Sequence, residues 1–312
     1  MKIHRALKVE DPACRGASVA IGNFDGVHLG HQAVIGLARD AGLAADAPLG
    51  VVTFEPHPRQ FFAPDAPPFR LMNAASRAHR LEKIGVSQLY ELPFDAGLAG
   101  LDAETFAIGV LGRGLGVRQV VVGADFRFGK GRRGTAADLQ VMGAAAGFAV
   151  TVADLVADAG AEVSSTSIRA ALTDGRPRDA ARMLGHWHRI EGEVIHGEKR
   201  GRMLGFPTAN MALTGLHLPK FGVYAVKVDI LTGPHSGTYN GAASLGVRPM
   251  FGQNLPNLET FLLDFTGDLY GQQLSVALVD FLRPELRFDG VPALVTQMNA
   301  DCWRARELLG AP

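Results

Sequence analysis

The segment Gly22-Asn-Phe-Asp-Gly-Val-His-Leu-Gly-His31 sets two histidines three residues apart among glycines. Imidazoles at that spacing can point the same way from a turn and offer N–H donors to an anion. Charge that builds on an α-phosphate during nucleophilic attack is what such donors stabilise. A second cluster, Val163-Ser-Ser-Thr-Ser-Ile-Arg169, gathers hydroxyls and an arginine at a helix start. Hydroxyls and backbone N–H groups can hold phosphate oxygens there, and Arg169 can pair with them bidentately. Each pattern has a plainer reading, surface histidines on a turn for the first and a serine-rich N-cap for the second.

The chain carries another such segment further on, His196-Gly-Glu-Lys-Arg-Gly-Arg-Met-Leu-Gly-Phe-Pro-Thr-Ala-Asn210. Lys199, Arg200 and Arg202 give local positive charge, and Gly197, Gly201 and Gly205 let backbone N–H groups face phosphate. Thr208 and Asn210 are neutral oxygen donors two apart, which share a face if the segment is a strand. Mg²⁺ takes such oxygens and completes its shell with substrate phosphates and water. In Leu258-Glu-Thr-Phe-Leu-Leu-Asp-Phe265, alternation puts Glu259 on a face with Phe261, Leu263 and Phe265. A carboxylate there is a candidate base for a hydroxyl proton; the competing reading is a strand-edge glutamate in water. Two other glycine-rich loops fail their motif tests. Gly123–Gly134 has a spacing one residue too long for a Walker A loop and no Ser or Thr after Lys130, and Gly112–Gly116 lacks the dinucleotide fingerprint.

These residues need elements to hold them. Ser18–Gly22, Gly50–Phe54, Gln88–Leu92, Gln119–Val122 and Phe148–Val152 read as short buried strands. Helices are expected over Gly30–Ala41, from the Asn73 cap to Ile84, around Ala103–Leu111, and after the capping box Thr135/Asp138. Strands alternating with helices read as a doubly wound parallel sheet, Rossmann-like, with the histidine turn at its ligand-binding end. After about residue 185 the pattern changes. Arg189–Ile195, Gly222–Leu231, Thr238–Leu245, Leu258–Phe265 and Gln273–Leu282 are strand-like runs without helices between them, as in a small antiparallel barrel. A C-terminal helix follows, with Asp289 as its expected cap and a Leu294, Met298, Cys302 and Leu309 stripe that can cover an open barrel end. The boundary is expected in Leu172–His188, where Asp174-Gly175 and Pro177 interrupt two short helices.

The 312 residues suit two domains. Lys plus Arg equals Asp plus Glu at 31 each, so no bulk charge draws the chain to nucleic acid or an anionic membrane. The longest weakly apolar run, Val141–Ala153, is shorter than the ~18 residues of a membrane span. Two cysteines at opposite ends, without CxxC, exclude a disulfide scaffold and a zinc–cysteine site. A soluble cytoplasmic protein is expected, without membrane or nucleic-acid partners.

Together, Gly22–His31, Thr53-Phe-Glu-Pro-His-Pro58, Gly123–Gly129 and Ser164–Arg169 resemble the nucleotidyltransferase module of bacterial bifunctional riboflavin kinase/FAD synthetases. Gly205–Asn210, Gly222-Val-Tyr-Ala225, Gly246-Val-Arg-Pro249, Glu259 with Leu263-Asp-Phe265, Leu269-Tyr-Gly271 and Phe281–Phe288 resemble the riboflavin kinase module. The resemblance implies an adenylyltransferase over 1–184 and a kinase over 185–312. The first would use ATP to convert FMN to FAD, and the second would use ATP and Mg²⁺ to convert riboflavin to FMN. Apo-flavoproteins are the possible recipients of the FAD.

By residue match, His28 and His31 would stabilise the transferring phosphoryl group, while Ser165, Thr166 and Arg169 would hold the triphosphate. Asn23 and Asp125 would contact the nucleotide, and Phe62 and Phe128 would stack on the flavin unless they are core rings. In the kinase, Gly197, Lys199, Arg202 and Gly205 would contact phosphate, Thr208 and Asn210 would take Mg²⁺, and Glu259 would be the base. Ala242–Leu245 and Met250 depart from the family pattern, which leaves the shape of a loop over 242–250 open. That departure favours one alternative, adenylyl transfer alone with a degenerate flavin-binding barrel. A flavin- or RNA-binding module is the other alternative, and zero net charge speaks against RNA.

Overall fold

Runs of small and branched aliphatic residues set the first half. Val19, Ala20, Val51, Val52 and Val120–Val122 are fully buried, as in strands covered on both faces. In the computed structural model the strands are β1 (Lys2–His4), β2 (Ser18–Ile21), β3 (Leu49–Glu55), β4 (Gln88–Pro93) and β5 (Gln119–Gly123), with these runs in β2, β3 and β5. A short hairpin, β6 (Arg127–Phe128) with β7 (Gly134–Thr135), precedes β8 (Ala149–Ala153). The structure describes residues 1–154, 157–158, 161–197, 201, 204–250 and 253–310. Packing divides the chain into two units, Met1–Pro67 with Arg77–Val163, and Pro68–Ser76 with Ser164–Pro312.

In the first unit, six parallel strands lie in the order β1-β4-β3-β2-β5-β8. The chain steps outward from β2 through β3 to β4, then returns to place β5 on the other side of β2. The order therefore reverses at β2, where open α/β sheets bind ligands beyond the strand ends. Helix α1 (Leu29–Ala44) follows β2 and packs on β2 and β5, and the Ser18 hydroxyl donates to the Ala38 carbonyl at 2.7 Å. The capping box at Thr135 and Asp138 forms as expected, with each side chain bonded to the other's backbone N–H. The helix expected around Ala103–Leu111 is wound in the wider π form over Thr105–Leu115. The edge strand β1 was not read from the sequence: its three residues are too few to show a period.

A second small hairpin pairs β9 (Ala157–Asp158) with β10 (Ala161–Glu162). In the second unit, six antiparallel strands follow: β11 (Arg189–Glu193), β12 (Ala209–Ala212), β13 (Gly222–Ile230), β14 (Gly237–Met250), β15 (Gln253–Leu262) and β16 (Gln273–Arg283). Their order is β11-β16-β13-β14-β15-β12. A bridge between Ile195 and Asn210 joins the two ends and closes the sheet into a barrel; Ile195 N–H donates to the Asn210 carbonyl at 2.9 Å. Strict alternation fills the interior with Tyr224, Val226, Val228 and Ile230 of β13, Leu258 and Leu262 of β15, and Leu274, Val276 and Leu278 of β16.

The opposite face of these strands carries a second core. Ala225 and Ala242, paired across β13 and β14, lie with Phe206 and Leu263 against Cys302 and Ala305 of the C-terminal helix Val291–Leu309. Alanines on the strands let the helix approach. It covers the outer barrel face, not an open end as the stripe suggested, and its N-cap is Gly290 without a side-chain bond, not Asp289. Arg283 and Asp301 bolt the helix to β16 through paired hydrogen bonds of 2.9 and 2.7 Å. Residues 242–250 are part of one continuous strand, so the expected loop there is corrected. Main-chain pairing with β13 and β15 runs through this segment whatever its side chains. The two short helices of the boundary region are Ser165–Thr173 and Pro177–Leu184, packed on each other and on Leu71 within the second unit.

Candidate functional site

In the first unit the site is the turn between β2 and α1. Phe24 and Val27 adopt positive φ of 51° and 44°, beside Gly26 at 89°. A branched side chain in that region costs about 1–3 kcal/mol, so the surroundings must hold the turn in place. They do so at the Asn23 carbonyl. It accepts from the Thr53 hydroxyl at 3.2 Å and from the Arg77 guanidinium at 3.3 Å. Arg77 is 1% exposed and is neutralised by Glu55 and Glu91 at 3.0 and 3.2 Å.

His28 is the N-cap of α1, and its Nδ1 accepts the His31 N–H at 3.3 Å. The two rings stack, with centroids 3.6 Å apart and planes 18° off parallel. Gly30 makes room for this: a Cβ there would stand 3.2 Å from the His28 ring. His31 also meets Phe24 edge-on at 5.1 Å, and its Nδ1 is sealed without a partner. Burial, and then the neighbouring His28, hold the His31 imidazole well below its ordinary range. The pair is thus set at the positive end of a helix with Nδ1 of His28 unavailable for a proton.

Asn23 is exposed just past β2, and Asp125 is exposed just past β5, the strand paired with β2. Both loops leave the C-terminal ends of adjacent parallel strands. Phe62 is 68% exposed, whereas Phe128 is buried, with Phe126 stacked on it at 5.5 Å. The two rings are ends of one array that the sequence did not disclose. It runs from Phe62 to Phe94, Phe54, Phe106 and Phe128, with centroid spacings of 5.7 to 6.4 Å. Asp25, buried inside the turn, was also not singled out.

The remaining predicted phosphate contacts belong to the second unit. Ser164 caps the helix Ser165–Thr173 by accepting the Ser167 N–H at 3.2 Å, which leaves Ser165 and Thr166 in its first turn. Arg169 Nε donates to the Phe69 carbonyl at 2.6 Å, and its guanidinium lies over the Phe69 ring at 5.4 Å. Deeper in this unit, burial, then His186 and His217, push the fully enclosed His188 down to about 3.

On the barrel, three adjacent strands place Asn210, Glu259 and Ser244 in one row, since Asn210 pairs with Glu259 and Glu259 with Ser244. Their neighbours Met211, Leu258 and Leu245 point inward, so the row faces away from the barrel interior. Thr208 is half-buried one residue before β12, and Asn210 is buried. Gly197 lies directly on the Asn210 amide: a Cβ there would stand 2.7 to 2.8 Å from its Nδ2, Cγ and Oδ1. Gly205 is exposed at φ 85°. Lys199 and Arg202 lie outside the described residues. Ser244 and Asn257, whose side-chain amide bonds to Asn210, were missed by sequence reasoning; only strand register reveals them.

A family model described as FAD synthetase matches residues 10–167, and one described as riboflavin kinase matches residues 184–309. A Pseudomonas fluorescens protein named bifunctional riboflavin kinase/FMN adenylyltransferase is 43% identical over 309 residues, 99% of this chain and 98% of its own. The protein of that name from Escherichia coli (strain K12) is 39% identical over 311 residues, again 99% and 98%. A crystal structure named as a macrolide-efflux protein from Streptococcus pneumoniae superposes with a TM-score of 0.81 at 32% identity, covering 96% of each chain. Among the described residues of the present chain, no helix is long and apolar enough to cross a membrane.

Proposed function

This chain belongs to the bifunctional riboflavin kinase/FMN adenylyltransferase family, and from that premise we propose which of its residues carry each reaction. The chain phosphorylates riboflavin with ATP to give FMN and ADP, and adenylylates FMN with ATP to give FAD and pyrophosphate. The adenylyltransferase occupies residues 1–184 and the kinase 185–312; the riboflavin kinase match from residue 184 supports that division.

In adenylylation an FMN phosphate oxygen attacks the α-phosphorus of ATP, and the α–β bridging P–O bond breaks. His28 and His31 meet the charge that builds on the α-phosphate oxygens. Because His28 Nδ1 takes the His31 N–H, the proton His28 offers is on Nε2. Asn23 and Asp125 contact the nucleotide, and Ser165, Thr166 and Arg169 take the β- and γ-phosphates. Phe62 offers its face to the flavin, and Phe128, a core ring covered by Phe126, backs the array behind it.

In the kinase, Glu259 takes the proton of the riboflavin 5′-hydroxyl as that oxygen attacks the γ-phosphorus and the β–γ bridging P–O bond breaks. The observation that carries this assignment is the Asn210–Glu259–Ser244 row, which stands the carboxylate beside the amide. Gly197, Lys199, Arg202 and Gly205 contact the phosphates. The donors at Asn210 are oxygens, and among the described residues no group of three or more His, Cys, Asp or Glu is placed to hold a metal. That set fits Mg²⁺, which Thr208 and Asn210 would hold and which neutralises phosphate charge when bound. The free, buried Cys14 and Cys302 suit a reducing cytoplasm, with apo-flavoproteins receiving the FAD.

The test is a time course of riboflavin, ATP and Mg²⁺ with all products quantified. FMN should rise first and FAD follow, with one ADP for each riboflavin phosphorylated and one pyrophosphate for each FAD formed. FAD formed from added FMN, without any phosphorylation of riboflavin, would reduce the assignment to its first half.

A further inference from the structure

Asn257 is 1% exposed on β15, two residues before Glu259 and on the same face. Its Nδ2 donates to Asn210 Oδ1 at 3.3 Å. One carbonyl fixes the orientation of both amides. Asn210 Nδ2 donates to the Thr208 carbonyl at 3.3 Å, and a carbonyl can only accept. Asn210 must therefore turn its NH₂ toward Thr208 and its oxygen toward Asn257. Asn257 must in turn present its own NH₂ to that oxygen. Flipping either amide alone would set two acceptors or two donors face to face. Gly197 packs on the Asn210 amide from the loop side, so the side chain has little room to rotate.

The Asn257 oxygen is buried without a hydrogen-bond partner. An apolar side chain would fill this space without leaving a buried acceptor unmade, so packing alone does not account for an amide here.

We propose that Asn257 is a positioning residue for the kinase metal site. It occupies one lone pair of Asn210 Oδ1 and so aims the other at the cation that accompanies ATP. This rests on the reading of Asn210 as a Mg²⁺ ligand. Outer hydrogen bonds of this kind are worth about 10–100-fold in metal affinity.

The experiment uses the full chain with Asn257→Leu, Asn257→Ser and, as reference, Asn210→Ala. Two quantities are read: the Mg²⁺ activation constant for riboflavin phosphorylation, and Mn²⁺ bound in the presence of ADP, counted by electron paramagnetic resonance. The kinase class of Mn²⁺ sites is the class that Asn210→Ala removes. Asn257→Leu should weaken that class and raise the Mg²⁺ constant by about 10-fold or more. Asn257→Ser, which keeps a donor, should lie between Asn257→Leu and wild type. The KM for riboflavin and FMN-to-FAD conversion should not move. Unchanged Mn²⁺ binding in Asn257→Leu, with Asn210→Ala still defective, overturns the proposal alone. If Asn210→Ala itself binds Mn²⁺ normally, the reading of Asn210 fails first. Loss of cooperative folding in both Asn257 variants, or equal loss of both activities, would make Asn257 a packing residue and also overturn the proposal.

Discussion

His28 and His31 lie ring on ring, 3.6 Å between centroids, with the backbone N–H of one bonded to the ring of the other. The His28 imidazole therefore caps the start of α1, and in the function proposed above it also meets the phosphate. These two duties can be separated by substitution.

The double variant His28→Ala with His31→Ala should lose FAD synthesis and keep riboflavin phosphorylation. Removing one charge-stabilising donor costs about 10²–10³ in rate, so little activity should remain after two. His28→Asn keeps an N-cap acceptor, whereas His28→Ala also gives up about 0.5–2 kcal/mol of helix stability. Both should lose adenylylation, and only the alanine should melt earlier. Equal loss of the two activities in the double variant would sink the two-site assignment.

Glu259→Gln should remove the kinase and leave FMN-to-FAD conversion intact. A positioned base contributes about 10²–10⁴, so a slow residual phosphorylation should be measurable. Full kinase turnover in this variant would make the row on β12, β15 and β14 structural.

His188 should make the protein sensitive to mild acid. In the unfolded chain it takes a proton near the ordinary value of 6.5, while in the folded chain it resists to about 3. Between these values the unfolded state binds more protons, so stability rises with pH and is fully present above 6.5. Lowering the pH through this window should cost up to about 1.4 kcal/mol per pH unit. His188→Gln should flatten that slope in thermal melts recorded across pH. Parallel profiles for variant and wild type would show that other groups set the acid limit.

Asp301→Ala should destabilise the barrel by about 3–5 kcal/mol, because it leaves the mostly buried Arg283 without its carboxylate. The double variant Arg283→Met with Asp301→Leu should recover much of that loss. Denaturant unfolding of both measures the difference, and a neutral Asp301→Ala would mean that water serves Arg283 equally well.

The fragment Gly185–Pro312 should fold and phosphorylate riboflavin on its own. It retains the barrel interior, the helix core at Cys302 and Ala305, and the row at Glu259. It loses the helices Ser165–Thr173 and Pro177–Leu184, and with them the Lys220 N–H bond to the Leu172 carbonyl at 2.9 Å and the Arg178–Asp280 ion pair, so it should melt earlier than the full chain. A cooperatively folded fragment without kinase activity would show that residues before Gly185 complete the site.

Local pattern alone determined a good part of this protein. Buried strands alternating with helices, then strands without helices, marked a parallel sheet followed by a barrel. The histidine turn, the Ser/Thr/Arg helix start and Glu259 could be picked out as candidates because each lies in a contiguous segment, although each pattern alone had a plainer reading. Tertiary structure decided the neighbours. Alternation puts Glu259 on a face, but strand register alone sets it between Asn210 and Ser244. Asn257 reaches Asn210 across 47 residues of sequence, and the Ile195–Asn210 bridge exists only once the barrel closes. The phenylalanine array likewise joins rings from separate segments of the first unit. A period of two or 3.6 residues fixes which way a side chain points, whereas the partner it meets depends on strand order and packing, which no single segment encodes.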